Sequence, residues 1–172
     1  PAAASNSFAY GANGTGKIVG TSYINGETYG TIWSGSGVSY LGPGTSATSI
    51  NASGQIAGGN GHAVVYDNGK LTDLGTLPGG NWSAGYGIND NGMVAGYGAT
   101  ANGFRAFTWT AGSGYSMLGT LGGNSSYAMG INNQGQVVGN SIAADRYAHA
   151  FIATNGILTD LGTAGSNSYA YG

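Results

Sequence analysis

The side chains able to carry acid–base or metal chemistry are few: His62 and His149, with Glu27, Asp67, Asp73, Asp90, Asp145 and Asp160. A metal centre needs convergent histidines or carboxylates. A paired-carboxylate glycosidase needs two carboxyl groups about 5 to 10 Å apart. The spacing marks neither. His62 and His149 each open a His-Ala phrase, and Asp73 and Asp160 each stand in a Thr-Asp-Leu-Gly phrase further on. Both pairs therefore read as positions of a repeat, and the histidines are expected to hydrogen-bond a neighbouring strand. Tyr40 and Met117 take the aspartate place elsewhere. Serine is abundant, but no Gly-x-Ser-x-Gly elbow occurs. Asn89-Asp90-Asn91-Gly92 lacks the spacing and closing glutamate of a calcium loop. Gly11 to Lys17 lacks the Gly-Lys-Ser/Thr ending of a phosphate loop and the helix that should follow. Cysteine is absent, so disulfides, thiolate metal sites and cysteine nucleophiles are excluded. The expectation is a non-enzyme with no catalytic residue, no metal ligand and no cofactor.

Aromatic side chains offer a different chemistry. Trp33 and Trp109 share a repeat place with Tyr66, which suits packing between units. Trp82 follows Gly79-Gly80-Asn81, where the next copy has serine, so no repeat rule demands it. Tryptophan and tyrosine present an apolar body with a polar tip and stack well on sugar faces. Trp82, with Tyr86 and Tyr127 in repeat phase, is the candidate patch for a glycan or partner.

These residues must be positioned by a repeat of about forty residues, the strongest signal in the chain. Asn13, Asn51, Asn89 and Asn132 recur in phase, each followed three and seven residues later by glycine. A second phrase recurs behind it, beginning at Tyr29, His62, Arg105 and His149. Short β-branched and aromatic runs alternate with Asn-Gly and Ser-Gly turns, so each unit reads as about four strands. Glycine, at 36 residues, falls too often for helix. The expected fold is all-β: one domain over 1–172, with units near 7–46, 47–83, 84–126 and 127–165, and 166–172 as the start of a fifth. Four-stranded units suit the blades of a propeller, and an open stacked β-array is the alternative.

The phrases His149-Ala150-Phe151, Gly119 to Ser126 and Ile131 to Gly139 resemble the HAF repeat of bacterial extracellular proteins. The resemblance covers almost the whole chain. The fourth unit fits best, the third has Arg105 in the histidine place, the second has His62-Ala63-Val64, and the first only Tyr29-Gly30-Thr31. It implies a secreted, propeller-like protein and carries no catalytic residues.

Bulk composition sets the partners. Four basic and six acidic residues leave no basic face for nucleic acid. No run of eighteen apolar residues could span a bilayer. The chain opens at Pro1 with no signal peptide in view, which reads as a processed or excised form. Ser166 to Gly172 repeats the pattern of Ser5 to Gly11. A surplus strand can pair in trans, so Ser168, Tyr169, Ala170, Tyr171 and Gly172 are the candidate self-association strand. The expected function is an extracellular structural protein that joins copies of itself through strand edges into a surface fibre, sheath or matrix. The alternative is a secreted module that binds glycans or another surface.

Overall fold

The computed structural model describes residues 4–163 and 166–172. Four antiparallel sheets follow one another along the chain, each a four-stranded meander. Sheet 1 holds β1 (Asn6–Ala12), β2 (Ile18–Ile24), β3 (Glu27–Ser34) and β4 (Gly37–Pro43). Sheet 2 holds β5 (Ser46–Ile50), β6 (Ile56–Gly59), β7 (Ala63–Asp67) and β8 (Lys70–Gly75). Sheet 3 holds β9 (Ser83–Ile88), β10 (Val94–Thr100), β11 (Gly103–Thr110) and β12 (Gly114–Met117). Sheet 4 holds β13 (Gly122–Ile131), β14 (Val137–Ala143), β15 (Ala148–Thr154) and β16 (Ile157–Asp160). The all-β four-unit architecture expected from the repeat is the one observed. The fourth sheet starts ahead of the expected unit boundary at 127, because Gly122 already pairs with Ala143.

Local chemistry explains the meander. Asn25-Gly26, Asn68-Gly69 and Asn155-Gly156 have positive φ at both residues and close β2–β3, β7–β8 and β15–β16. Asparagine and glycine reach that region at least cost, and its twist matches that of the flanking strands. The recurring asparagine organises the turn between first and second strands. The Asn51 side-chain oxygen accepts the Gln55 amide at 2.9 Å, and the Asn89 oxygen accepts the Met93 amide at 3.0 Å. The same side chains tie sheet to sheet. Asn13 donates to the Asn51 carbonyl at 3.1 Å, Asn51 to the Asn89 carbonyl at 3.0 Å, and Asn89 to the Asn132 carbonyl at 3.0 Å.

The core lies between successive sheets. Val19, Ala47, Ile50 and Ile56 fill the first interface. Ala57, Ile88, Val94 and Phe107 fill the second. Ala95, Ala128, Val137 and Phe151 fill the third. Tyr66 and Trp109 pack against the first two interfaces, as their shared repeat place suggested. Trp33 instead pairs with Ile18, which is exposed, and is itself half-buried.

Residues 166–172 form no strand ladder, yet they lie on sheet 4. The Ser168 amide donates to the Ala148 carbonyl at 2.7 Å, and the Asn167 side chain accepts the Ala148 amide at 2.9 Å.

Candidate functional site

Each first strand carries a one-residue bulge at the same repeat place, and β13 has a second irregularity between Gly122 and Ser126. Ala9 pairs with Gly20 and Gly11 with Val19, so Tyr10 is the extra residue of a bulge. By the same count the bulges of sheets 2, 3 and 4 fall at Thr48, Tyr86 and Met129. A bulge re-aims the side chain it carries. Here the four bulge residues, together with Tyr171 of the terminal segment, line a single cavity of about 560 Å³. Slot-equivalent residues from every sheet meet in it. Below it, a throat of about 120 Å³ is lined by the same bulge residues with Gly87, Gly130 and Gly172.

A groove of about 240 Å³ shares Thr28, Ser46, Thr48 and Tyr86 with the cavity and runs out to Trp82. Among the described residues, no charged side chain lines either space. The walls combine tyrosine and tryptophan rings with threonine and serine hydroxyls and the Met129 side chain.

The three aromatic residues singled out from sequence are brought together, through a fourth that linear reading did not pick. Tyr97 stacks on Tyr86 with centroids 4.9 Å apart and planes 10° from parallel. It meets Tyr127 edge-on at 4.9 Å and Trp82 at 5.4 Å. Phe104 closes the cluster against Trp82 and Tyr127. The Tyr86 and Tyr97 hydroxyls are 3.0 Å apart. Burial, then the Tyr86 hydrogen bond, pushes the Tyr97 hydroxyl far above its ordinary pKa, so it stays neutral. One signal for Tyr97 existed. It follows the repeat glycine Gly96, where the other units have Thr21, Gly59 and Asn140, so it is the aromatic exception in that place.

The histidines lie elsewhere. His62 Nδ1 is 3.0 Å from Asp73, across the β7–β8 pair. His149 Nδ1 is 2.8 Å from Asp160, and its Nε2 is 3.0 Å from Asp145. Each histidine thus bonds the neighbouring strand. The Asp160 hydrogen bond chiefly holds the His149 pKa above its ordinary value. The Gly75 amide chiefly lowers that of Asp73. Where the histidine is missing, its partner is missing too: Tyr29 and Tyr40 make an edge contact at 5.8 Å in sheet 1, and Arg105 bonds the Phe104 carbonyl in sheet 3. Among the described residues, no three His, Cys, Asp or Glu side chains are grouped to hold a metal ion.

Ser168 is engaged within its own chain. Its hydroxyl accepts the Ala150 amide at 2.8 Å and donates to the Gly162 carbonyl at 2.6 Å. Tyr169, Tyr171 and Gly172 remain exposed, while Ala170 is half-buried. No protein-family model and no curated protein matches this chain.

Proposed function

We propose that this chain is a non-enzymatic binding module for a neutral saccharide, held in the bulge-lined cavity and the groove that leads to Trp82. One observation carries the reading: a cavity of about 560 Å³ lined mainly by tyrosine rings and threonine and serine hydroxyls, with no charged side chain among them. That volume lies within the roughly 300–1,000 Å³ of small-molecule sites. Tyrosine faces suit the C–H faces of a sugar ring, and hydroxyls suit its polar rim. An uncharged wall offers nothing to a phosphate or a carboxylate. The six carboxylates and two histidines of the chain lie outside it, which supports binding without turnover. A secreted or surface location, and membership of the HAF-repeat family, belong to the same proposal.

Tyr10 lines the cavity and is 57% exposed, so its removal asks little of the fold. A panel of neutral oligosaccharides titrated by calorimetry is expected to yield a binder that Tyr10→Ala weakens at least tenfold. A panel without a binder, or a binder indifferent to Tyr10→Ala and Trp82→Ala, refutes the assignment.

A second reading, self-association into a fibre, sheath or matrix, is favoured by sheet 1. Ile18 is 41% exposed there, whereas Ile56, Val94 and Val137 in the same place are at most 2% exposed. Exposed contiguous apolar surface often marks an interface. Light scattering across a hundredfold concentration range is expected to show rising mass that Ile18→Lys prevents. A constant monomer mass removes this reading and leaves the saccharide site untouched.

A further inference from the structure

The aspartates divide into two sets. Asp73, Asp145 and Asp160 face histidines in the clasps of sheets 2 and 4. Asp67 and Asp90 face none. Each is an exception in its repeat place: Ser34, Thr110 and Thr154 stand where Asp67 does, and Gly14, Ala52 and Asn133 where Asp90 does. The two come from different sheets, one from the end of β7 and one from the turn between β9 and β10. Both line one cavity of about 460 Å³, which shares no residue with the saccharide cavity or its groove.

The rest of the wall suits an organic ion. Trp109 and Val65 form an apolar side, each half-buried against the second interface. Gln55 forms a polar side: its oxygen accepts the Asn51 amide at 2.8 Å, and its own amide donates to Asp67 at 3.1 Å. Asp90 accepts the Ala52 backbone amide at 2.8 Å and the Asn133 side chain at 2.7 Å. The Ala52 bond chiefly holds the Asp90 pKa below its ordinary value. These donors are all neutral, so they fix the carboxylates without cancelling their charge. Two carboxylate oxygens offer about four acceptor sites, so each aspartate keeps capacity for a ligand. Lys70 is paired with Asp67 across the β7–β8 turn, yet among the described residues no ion pair joins them.

The groove in the same place between sheets 3 and 4 lacks this combination. It has Ala153 in the place of Trp109 and Thr108 in the place of Val65, and among the described residues no charged side chain lines it. Contacts that serve to join sheets, such as the asparagine ladder, recur at successive interfaces. The indole and the two carboxylates meet at one interface alone of these two, so holding sheets together does not account for them.

We infer that this cavity is a second binding site, for an aliphatic ammonium: a charged primary amine on a short hydrocarbon chain. The carboxylates take the ammonium, and the indole face takes the hydrocarbon and adds its own attraction for the cation. The volume lies within the roughly 300–1,000 Å³ of small-molecule sites. A calcium ion would want six or more oxygen ligands and would leave Trp109 and Val65 without a role. A free alkylamine and an accessible lysine side chain present the same chemistry.

Calorimetric titration of the intact chain at low ionic strength is the test. Butylammonium and Nα-acetyl-lysine amide are expected to bind one to one, and butanol and calcium ion are expected not to compete. The tighter of the two amines names the source, a free amine or a lysine side chain. Asp67→Thr and Asp90→Asn install residues that other units carry in those places. Each is expected to weaken amine binding at least fivefold, and a tenfold rise in salt to weaken it further. A second measurement needs no altered binding residue: in the unaltered chain, the Trp109 indole resonance is expected to shift with butylammonium and to stay fixed with butanol. Its signal is identified from Trp109→Leu. No saturable binding of either amine, equal binding of butanol, displacement of the amine by calcium, binding indifferent to both aspartate substitutions, or a fixed indole resonance overturns the proposal.

Discussion

Replacing Asn51 by alanine is expected to cost far more than replacing Asn132, although the two occupy one repeat place. Both accept the amide of the glutamine four residues on and donate to its side chain. The Asn51 oxygen accepts from the Gln55 amide at 2.9 Å and the Ser53 hydroxyl at 2.9 Å. The Asn132 oxygen accepts from the Gln134 and Gln136 amides, both at 3.0 Å. The difference lies in burial and in the onward link. Asn51 is 3% exposed and its amide reaches the Asn89 carbonyl on the next sheet. Asn132 is exposed, and its amide bonds its own Gln136 at 2.8 Å, as that of Asn51 bonds Gln55, with no bond to another sheet among the described residues. A net hydrogen bond is worth about 1 kcal/mol, and a buried partner left unmatched costs about 1–3 kcal/mol. Asn51→Ala removes the inter-sheet bond and strips a half-buried amide, for a loss of about 2–4 kcal/mol. Asn132→Ala removes only solvent-exposed bonds, for about 0.5–1 kcal/mol. Urea unfolding followed by circular dichroism reads both losses from midpoints at constant slope. Equal losses would refute the idea that the asparagine ladder binds the sheets together, leaving the residue a turn-former alone.

Three further outcomes follow from the geometry. Gly96→Ala places a Cβ 2.1 Å from the Ala84 carbonyl and 2.9 Å from the Phe107 ring, whereas Gly14→Ala enters open space; thermal melts should show a loss of at least about 1–3 kcal/mol for the first and almost none for the second. Phe151→Ala empties a fully buried site in the third interface and should cost about 3–5 kcal/mol in the same assay. The clasp at His149 makes stability depend on pH. Its raised folded pKa means a contribution that is complete below the ordinary value of 6.5 and lost as pH rises through the folded value. Asp145 and Asp160 have lowered values, so theirs is present above 3.8 and lost as pH falls through the folded values. Melting temperature should therefore decline between about pH 6 and pH 8, and His149→Gln should flatten that decline; an unchanged slope in the variant would show the clasp to be idle.

The repeat made much of the fold legible. Asn68-Gly69 and Asn155-Gly156 announce hairpins because the backbone conformation they favour is a property of two residues. Gly20, Gly58, Gly96 and Gly139 keep step because each faces a carbonyl of the strand before it, a contact repeated within every unit. The His-Asp pairing was half legible: His62 and Asp73 keep the same separation as His149 and Asp160, and strand pairing turns that separation into a bond. Trp82 was visible as an exception to the repeat, with Tyr86 and Tyr127 in phase beside it; Tyr97 also stands out in its repeat place, but only the packing shows that its ring joins the other three.

By itself the sequence determined the unit, its four strands, its turns and the near absence of charge, because these rest on contacts between residues close in the chain. The tertiary structure decided where the units point. Tyr10, Thr48, Tyr86 and Met129 stand at the bulge of four different first strands and meet in one cavity, a convergence that no local pattern encodes. It also decided the use of Ser168. The linear pattern marks a further strand-like segment and is silent on which sheet it meets, whereas the Ala150 amide of β15 and the Gly162 carbonyl just beyond β16 both bond its hydroxyl.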